Sequence, residues 1–281
     1  MKPPFAISQY TTLPLTFAED LELYQKLGIG QIEICESKLG VTDGDRHLRT
    51  VTAAGFQVTS VQPQIHSPFP NSLRANPASP RTRMQRLRKS IVLFSRYFPG
   101  TTLVLNTGLA AGGDIAAAHR VAVREFKAIA RVAADHGVRV ALEPLNPVYM
   151  NTDTFVCSLA RAREMIEEVD HPAFGLFLDL WHFWEDVAAP AEIRRSAKQI
   201  FGVHISDWRT PHAFGDRVLP GMGEIPIVRL LRVIRKTGYR GAYALEIFSN
   251  PRLPDSLWKN PRRTAAAGQK AFEQIWRQVC A

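Results

Sequence analysis

Cysteine is almost absent from this chain. The three present, Cys35, Cys157 and Cys280, are scattered, odd in number and without metal-type spacing. That excludes a disulfide framework and a thiolate zinc centre, and it leads to the expectation of reduced thiols in a cytoplasmic protein. Long apolar runs are missing as well. The opening MKPPFAISQY has none of the apolar stretch a signal peptide needs, and no run approaches the roughly 20 residues of a membrane span. Acidic residues are missing from one segment. Between Arg46 and Ala111 there is no Asp or Glu, while nine Lys and Arg residues fall there and account for the net charge of +9. A nucleic-acid or phosphate surface is one reading of that segment. The plainer one is a solvated helix face, because RTRMQRLRKSIVLFSRYF (81–98) sets Met84, Leu87, Ile91 and Phe94 at helical spacing with arginines elsewhere.

Eight short apolar segments recur along the chain: 5–10, 31–36, 56–62, 101–106, 139–145, 174–180, 200–206 and 242–248. Amphipathic helical stretches lie between them. AEDLELYQKLG closes at Gly28, the stretch 115–137 closes at Gly137, and IVRLLRVIRKTG closes at Gly238. TFVCSLARAREMIEEV follows Asp153, read as its N-cap, and a last helix runs from about 263 to 280. Strand–helix alternation repeated eight times in 281 residues predicts an α/β fold, a single (β/α)8 TIM barrel occupying residues 1–281 as one domain. An open doubly wound sheet would want a glycine-rich phosphate turn after its first strand, and SQYTTLPLT contains no glycine. The Pro/Asn/Ser-rich stretches 71–80 and 250–260 fall in βα loops, the face on which such barrels build their sites.

Four of the apolar strands carry a polar residue near their C-terminal end: Glu143 in RVALEPLN, Asp179 in LFLDLWH, His204 in FGVHISD and Glu246 in AYALEIF. An ionised carboxylate buried in such a strand costs several kcal/mol unless a partner neutralises it. One such residue is readily explained by an ion pair or a satisfied core histidine. Four at equivalent depth on strands five to eight predict convergence on a shared cation. Three carboxylates and one imidazole favour Mn²⁺, Mg²⁺ or Co²⁺, with Mn²⁺ first and Zn²⁺ also accommodated. Around them His182, Asn146, Arg217 and His66 are expected to reach the substrate. Asp207 is expected either to fix the tautomer of His204 or to cap the loop after it. Trp181, Trp184, Trp208, Tyr149 and Trp258 offer aromatic faces to a sugar ring, with ordinary loop packing as the alternative for at least two of them.

The segments ALEPLN, LFLDLWH, VHISDW, DRVLPGMGEI and LEIFSN, in this order, resemble the xylose isomerase-like barrel superfamily. That group takes in sugar phosphate isomerases and epimerases, inosose isomerases and dehydratases, and endonuclease IV. The nearest likeness is to the inosose (2-keto-myo-inositol) isomerase-like branch, through Asp216-Arg217-Val218, Pro220-Gly221 and the Trp258-Lys259 pair. The resemblance implies Glu143, Asp179, His204 and Glu246 as metal ligands, Glu143 and Glu246 also as proton-transfer bases, and His182 and Arg217 at substrate oxygens. It adds Lys259 to the substrate residues. Endonuclease IV uses extra histidines for three zinc ions. Here the strand-four position is Asn106 and Val218 follows Arg217, so phosphodiester cleavage is not expected.

The chemistry so implied is α-proton abstraction from a carbohydrate or cyclitol hydroxy-ketone through a metal-stabilised enediolate, giving isomerisation or epimerisation. The alternative is a dehydratase of inosose or dehydroshikimate type on the same site. A small-molecule substrate is expected, without nucleic acid or membrane, and a homodimer or higher homo-oligomer is left open.

Overall fold

Parallel strands pair only if a crossover returns the chain to the same end of the sheet, and here every crossover carries helix. The computed structural model describes residues 3–40, 43–211 and 215–281. The strands are β1 (Phe5–Ser8), β2 (Gln31–Cys35), β3 (Gln57–Gln62), β4 (Thr102–Leu105), β5 (Arg139–Leu142), β6 (Phe174–Asp179), β7 (Ile200–Ile205) and β8 (Tyr243–Leu245). They pair in parallel in chain order, and β8 closes on β1 with Phe5 opposite Tyr243, so the fold is the expected (β/α)8 barrel. The helices are α1 (Phe17–Lys26), α2 (Gly44–Ala53), α3 (Pro80–Ser95), α4 (Ile115–Asp135), α5 (Leu159–Val169), α6 (Leu180–Phe183), α7 (Ala189–Arg195), α8 (Ile227–Lys236) and α9 (Pro261–Cys280). Among the described residues no helix is long and apolar enough to cross a membrane.

Local chemistry sets the helix starts. Thr16 and Glu19 form a reciprocal capping box on α1. Ser79 caps α3 with Pro80 in its first turn, and Asn260 caps α9 ahead of Pro261. The expected start of α5 at Asp153 is corrected. Ser158 caps that helix instead, because Asp153 accepts from the Ser72 backbone N–H at 2.9 Å and so ties two βα loops together.

Two strands end three residues earlier than expected. β5 stops at Leu142, and Pro144 has no N–H with which to continue the ladder. β8 stops at Leu245 because the Ile247 N–H turns to the Thr11 hydroxyl at 3.1 Å. Glu143 and Glu246 therefore stand one residue beyond their strands, each held by a last backbone bond, to Leu105 at 2.8 Å and to Ile205 at 3.1 Å.

The barrel interior is graded. Its N-terminal half is plugged by Phe177 and Phe201 with Val104 and Ala141. Gly202 and Gly175 make room for the two rings: a Cβ on Gly202 would lie 2.1 Å from the Phe177 ring, and one on Gly175 would lie 2.6 Å from Phe201. The Phe177 ring sits 4.4 Å from the His204 ring, a dry floor beneath the polar half. At the rim Gly108 (φ +75°) lets the β3–α3 loop cross, since a Cβ there would lie 2.2 Å from the Phe69 carbonyl.

The basic segment divides. Arg81, Arg86, Arg88, Lys89 and Arg96 are exposed on or beside α3, as a solvated face would have them. Arg83 alone is fully buried. It donates to the Ser67 carbonyl at 2.8 Å, the Ser67 hydroxyl at 2.9 Å, and the Arg74 and Pro77 carbonyls at 2.9 and 3.0 Å. It thus pins the β3–α3 loop that walls the site. An Arg83→Leu substitution strands those acceptors, so stability should fall by about 3 kcal/mol with an unchanged urea m-value. Urea titration followed by circular dichroism is the check.

Candidate metal and substrate site

At the C-terminal mouth the four polar strand-end residues meet. One ligand atom from each of Glu143, Asp179, His204 and Glu246 lies within 4.8 Å of all the others, and all four residues are buried. Neighbouring register brings Asp179 opposite His204 across β6 and β7. His204 Nδ1 lies 3.1 Å from Glu143 Oε1 and 3.4 Å from Glu246 Oε2.

The opposite edge of the His204 ring is held by Glu33, whose Oε2 lies 2.8 Å from His204 Nε2 and accepts from the Ser60 hydroxyl at 2.7 Å. Nε2 must therefore carry a hydrogen, which leaves Nδ1 as the atom that can ligate. Glu33 was not foreseen. The signal was present, since QIEICE buries a carboxylate between isoleucines much as LFLDLWH does. Asp207 caps the following loop and does not touch His204: its carboxylate accepts from the N–H groups of Trp208, Gly221, Gly223 and Ile225.

That capped loop delivers Arg217. Its Nη1 lies 2.8 Å from both Asp179 Oδ2 and Glu246 Oε2, and its guanidinium rests between the Trp181 and Phe248 rings at 5.2 and 5.1 Å. Asp216 accepts from the Ser249 hydroxyl and the Asn250 N–H. His182 takes the Asn146 N–H on Nδ1 at 3.1 Å, so the neutral ring carries its proton on Nε2, 3.4 Å from Asp179 Oδ2.

These residues open on a cavity of about 350 Å³. Of the expected substrate residues, His182, Arg217 and His66 line it, as do Tyr149 and Trp258 among the aromatics. Three others lie outside it. Trp181 is fully buried behind Arg217, packed on Trp208 at 4.7 Å. The Asn146 side chain is engaged by Glu185 at 2.7 Å and by the Val148 N–H. Lys259 is exposed and donates to the Pro254 carbonyl. Tyr10 and Gln62, on which the sequence reading is silent, and Asp153, read there as a helix cap, do line the cavity. Gln62 donates to Glu246 Oε1 at 3.3 Å.

The charges in the cluster are unbalanced. Four carboxylates (Glu33, Glu143, Asp179 and Glu246) face one guanidinium and two imidazoles, of which only His204 is held protonated and His182 is neutral. Burial, against the pull of His204 and Arg217, pushes Glu246 up to about 8. Burial alone would lower His204, but Glu246 and Glu33 hold it well above its ordinary value. Burial takes His182 down to about 3, despite Asp179 beside it. The donor set fits a divalent cation. Two ligands facing each other across such an ion at about 2.1–2.2 Å stand about 4.3 Å apart, close to the spacing found here.

A profile for "xylose isomerase-like TIM barrel" proteins matches residues 21–275. The chain belongs to the xylose isomerase-like TIM barrel family. Within that family it is 31% identical over 134 residues to an inosose isomerase of Halalkalibacterium halodurans, covering 46% of each chain. It is 30% identical over 255 residues to a 3-dehydroshikimate dehydratase of Pseudomonas putida, covering 84% of this chain and 36% of that one. The matched regions thus span about half and about a third of these relatives' own lengths. Among solved structures, the IOLI protein with a bound zinc atom superposes with a TM-score of 0.80, at 20% identity over 96% of this chain and 97% of that one.

Three outcomes follow for this xylose isomerase-like site. Above pH 6.5 the folded metal-free chain retains protons on His204 and Glu246 that the unfolded chain has released. Its stability should therefore fall as pH rises from 6.5 through about 8, read as a declining melting temperature. Added Mn²⁺ should raise the melting temperature more at pH 8.5 than at pH 6.5. Replacing Glu33 by Gln should weaken Mn²⁺ binding about 10–100-fold in calorimetric titration, because the His204 ring loses its carboxylate acceptor.

Proposed function

We propose that this chain is a divalent-metal-dependent isomerase or epimerase of a carbohydrate or cyclitol hydroxy-ketone. The observation that carries the reading is the convergence of Glu143, Asp179, His204 and Glu246 on one cavity whose wall includes His182 and Arg217. The inosose isomerase relative supports it. Mn²⁺ is the first candidate for the ion, with Mg²⁺, Co²⁺ and Zn²⁺ able to occupy the same donors, and a neighbour of the same fold that binds a zinc atom supports a divalent metal. The three free cysteines suit a cytoplasmic enzyme of carbohydrate or inositol metabolism.

The four ligands would hold the ion, which supplies Lewis-acid stabilisation of charge developing on substrate oxygen. Every other part of the task falls to side chains. In the metal-free protein burial raises both Glu143 and Glu246 above the ordinary carboxylate range, and a bound cation would keep both ionised and able to accept a proton. Their strands are three apart around the barrel, so the two carboxylates can flank a bound ketone. One removes the proton next to the carbonyl. The same group returning it at the neighbouring carbon, with the hydroxyl proton passing to the former carbonyl oxygen, gives isomerisation. Epimerisation follows when the other carboxyl group, itself protonated, gives its own proton to the opposite face of the first carbon while the first group keeps the one it took. His182 presents its Nε2–H, and Arg217 its guanidinium, to substrate oxygens. Phe177 below and Tyr10, Phe248 and Trp258 around the cavity exclude water.

A dehydratase reading is favoured by one observation, the 30% identity to 3-dehydroshikimate dehydratase over 84% of the chain. The same enolate would then expel a β-hydroxyl group. Incubation of the Mn²⁺-loaded protein with 2-keto-myo-inositol, ketohexoses, pentuloses and 3-dehydroshikimate in D₂O separates the two. Deuterium at the α carbon without loss of water is expected, whereas a new absorbing product formed with loss of water, an enone from a saturated ketone or an aromatic acid from 3-dehydroshikimate, would establish dehydration. Glu143→Gln and Glu246→Gln should each slow exchange by about 10²–10⁴-fold.

A further inference from the structure

Below the aromatic plug, at the N-terminal ends of the strands, the barrel holds a second cavity of about 370 Å³. Phe177 divides it from the metal site: its ring lines this cavity and lies 4.4 Å from the ring of His204. The charge on its wall has one sign. Arg139, the first residue of β5, and Arg240, in the turn before β8, both line it, and among the described lining residues there is no Asp or Glu.

Arg139 is placed but not satisfied. Its guanidinium lies over the Phe201 ring, 4.6 Å from the centroid, and none of its guanidinium N–H groups meets an acceptor among the described residues. Burial lowers its pKa from the ordinary guanidinium value, so part of its hydration is lost with no counter-ion in its place. The other arginines that burial reaches differ. Arg83 gives its N–H groups to Ser67, Arg74 and Pro77, and Arg217 stands against Asp179 and Glu246. A cation drawn out of water without a partner is costly, and an anion in the cavity would offset that cost.

The other donors are held by their own elements. The Tyr239 hydroxyl donates to the Ala242 carbonyl at 2.8 Å across the turn that carries Arg240, and a Cβ on Gly241 would lie 2.3 Å from that hydroxyl. Gln57, the first residue of β3, accepts the Gln31 side-chain N–H on its Oε1 at 2.9 Å, which leaves its own amide N–H groups as donors at the cavity.

We propose that this cavity is a binding site for a small oxyanion, the phosphate of a monoester or the carboxylate of an organic acid, received by Arg139, Arg240 and Gln57 on the face of the barrel opposite the metal site. An oxyanion accepts from all three side chains and neutralises the guanidinium charge. A neutral alcohol would leave that charge uncompensated. None of the three residues lines the metal cavity, so the site is independent of the isomerase reading.

Calorimetric titration of the full chain at constant ionic strength tests it, with inorganic phosphate, glycerol 3-phosphate and citrate as anionic probes and glycerol as the neutral one. A single saturable site per chain is expected for at least one anion and none for glycerol. Tighter binding of the phosphates assigns the site to a phosphate monoester, and tighter binding of citrate assigns it to a carboxylate. Arg139→Met, which keeps an apolar stem, and Arg240→Gln should each weaken that binding about tenfold or more. Arg88→Met, which removes an exposed charge from α3, should leave it unchanged. Arg139→Met should melt no lower than wild type, because it breaks no side-chain hydrogen bond within the protein. If it does melt lower, Arg240→Gln, at an exposed position, decides the matter. The inference is overturned if no anion shows a saturable site, or if glycerol binds as tightly as glycerol 3-phosphate. Undiminished affinity in either folded variant, or an equal loss in Arg88→Met, overturns it as well.

Discussion

Uncompensated negative charge in a dry place is the constraint on which this structure turns. Glu33, Glu143, Asp179 and Glu246 are drawn into one small buried volume, and without positive charge among them the mouth of the barrel could not close. In the metal-free protein that positive charge comes from Arg217, lodged between two of the carboxylates, and from a proton-rich His204. Both are held from outside the cluster. Asp207 ties four backbone N–H groups so that the loop offers Arg217 inward, and Glu33 sets the ring of His204.

The barrel supplies the other half of the arrangement. Parallel strands all end at one face, so an inward-facing polar residue at the C-terminal end of any strand points to the same mouth. The aromatic plug of Phe177 and Phe201, admitted by Gly202 and Gly175, keeps water from approaching the cluster from below. Low dielectric then strengthens each charge contact above it and, in the metal-free protein, raises Glu143 and Glu246 above the ordinary carboxylate range. The apolar packing that stabilises the fold and the electrostatics that equip the site are consequently one design.

Much of this was legible in the sequence because buried charge is rare. LFLDLWH, VALEP, GVHIS and ALEIF each break an apolar run with one polar residue, and that anomaly located the centre without reference to geometry. The same anomaly stands in QIEICE, where Glu33 breaks the apolar run of strand two, outside the consecutive set of strands five to eight. What could not be read was the direction of side chains on loops. Trp181 and Trp258 look alike in sequence, yet one lies buried behind Arg217 and the other lines the cavity. Lys259, beside Trp258, turns to a carbonyl at the surface. Asp153 has the look of a helix cap but joins two loops, since Ser72, 81 positions earlier, provides its donors. Periodicity carries information about a residue's own element, and none about a distant loop that folds over it.

The central claim is that these four residues act as one cation site, and its most direct test is a count of ions. Chelator-stripped protein titrated with Mn²⁺, with free ion followed by electron paramagnetic resonance, should take up one ion per chain. An Asp179→Asn, Glu246→Gln double substitution should abolish that uptake while the chain remains folded by circular dichroism. Failure of the wild type to take up Mn²⁺, Co²⁺ or Zn²⁺, or undiminished uptake by the double variant, would contradict the account.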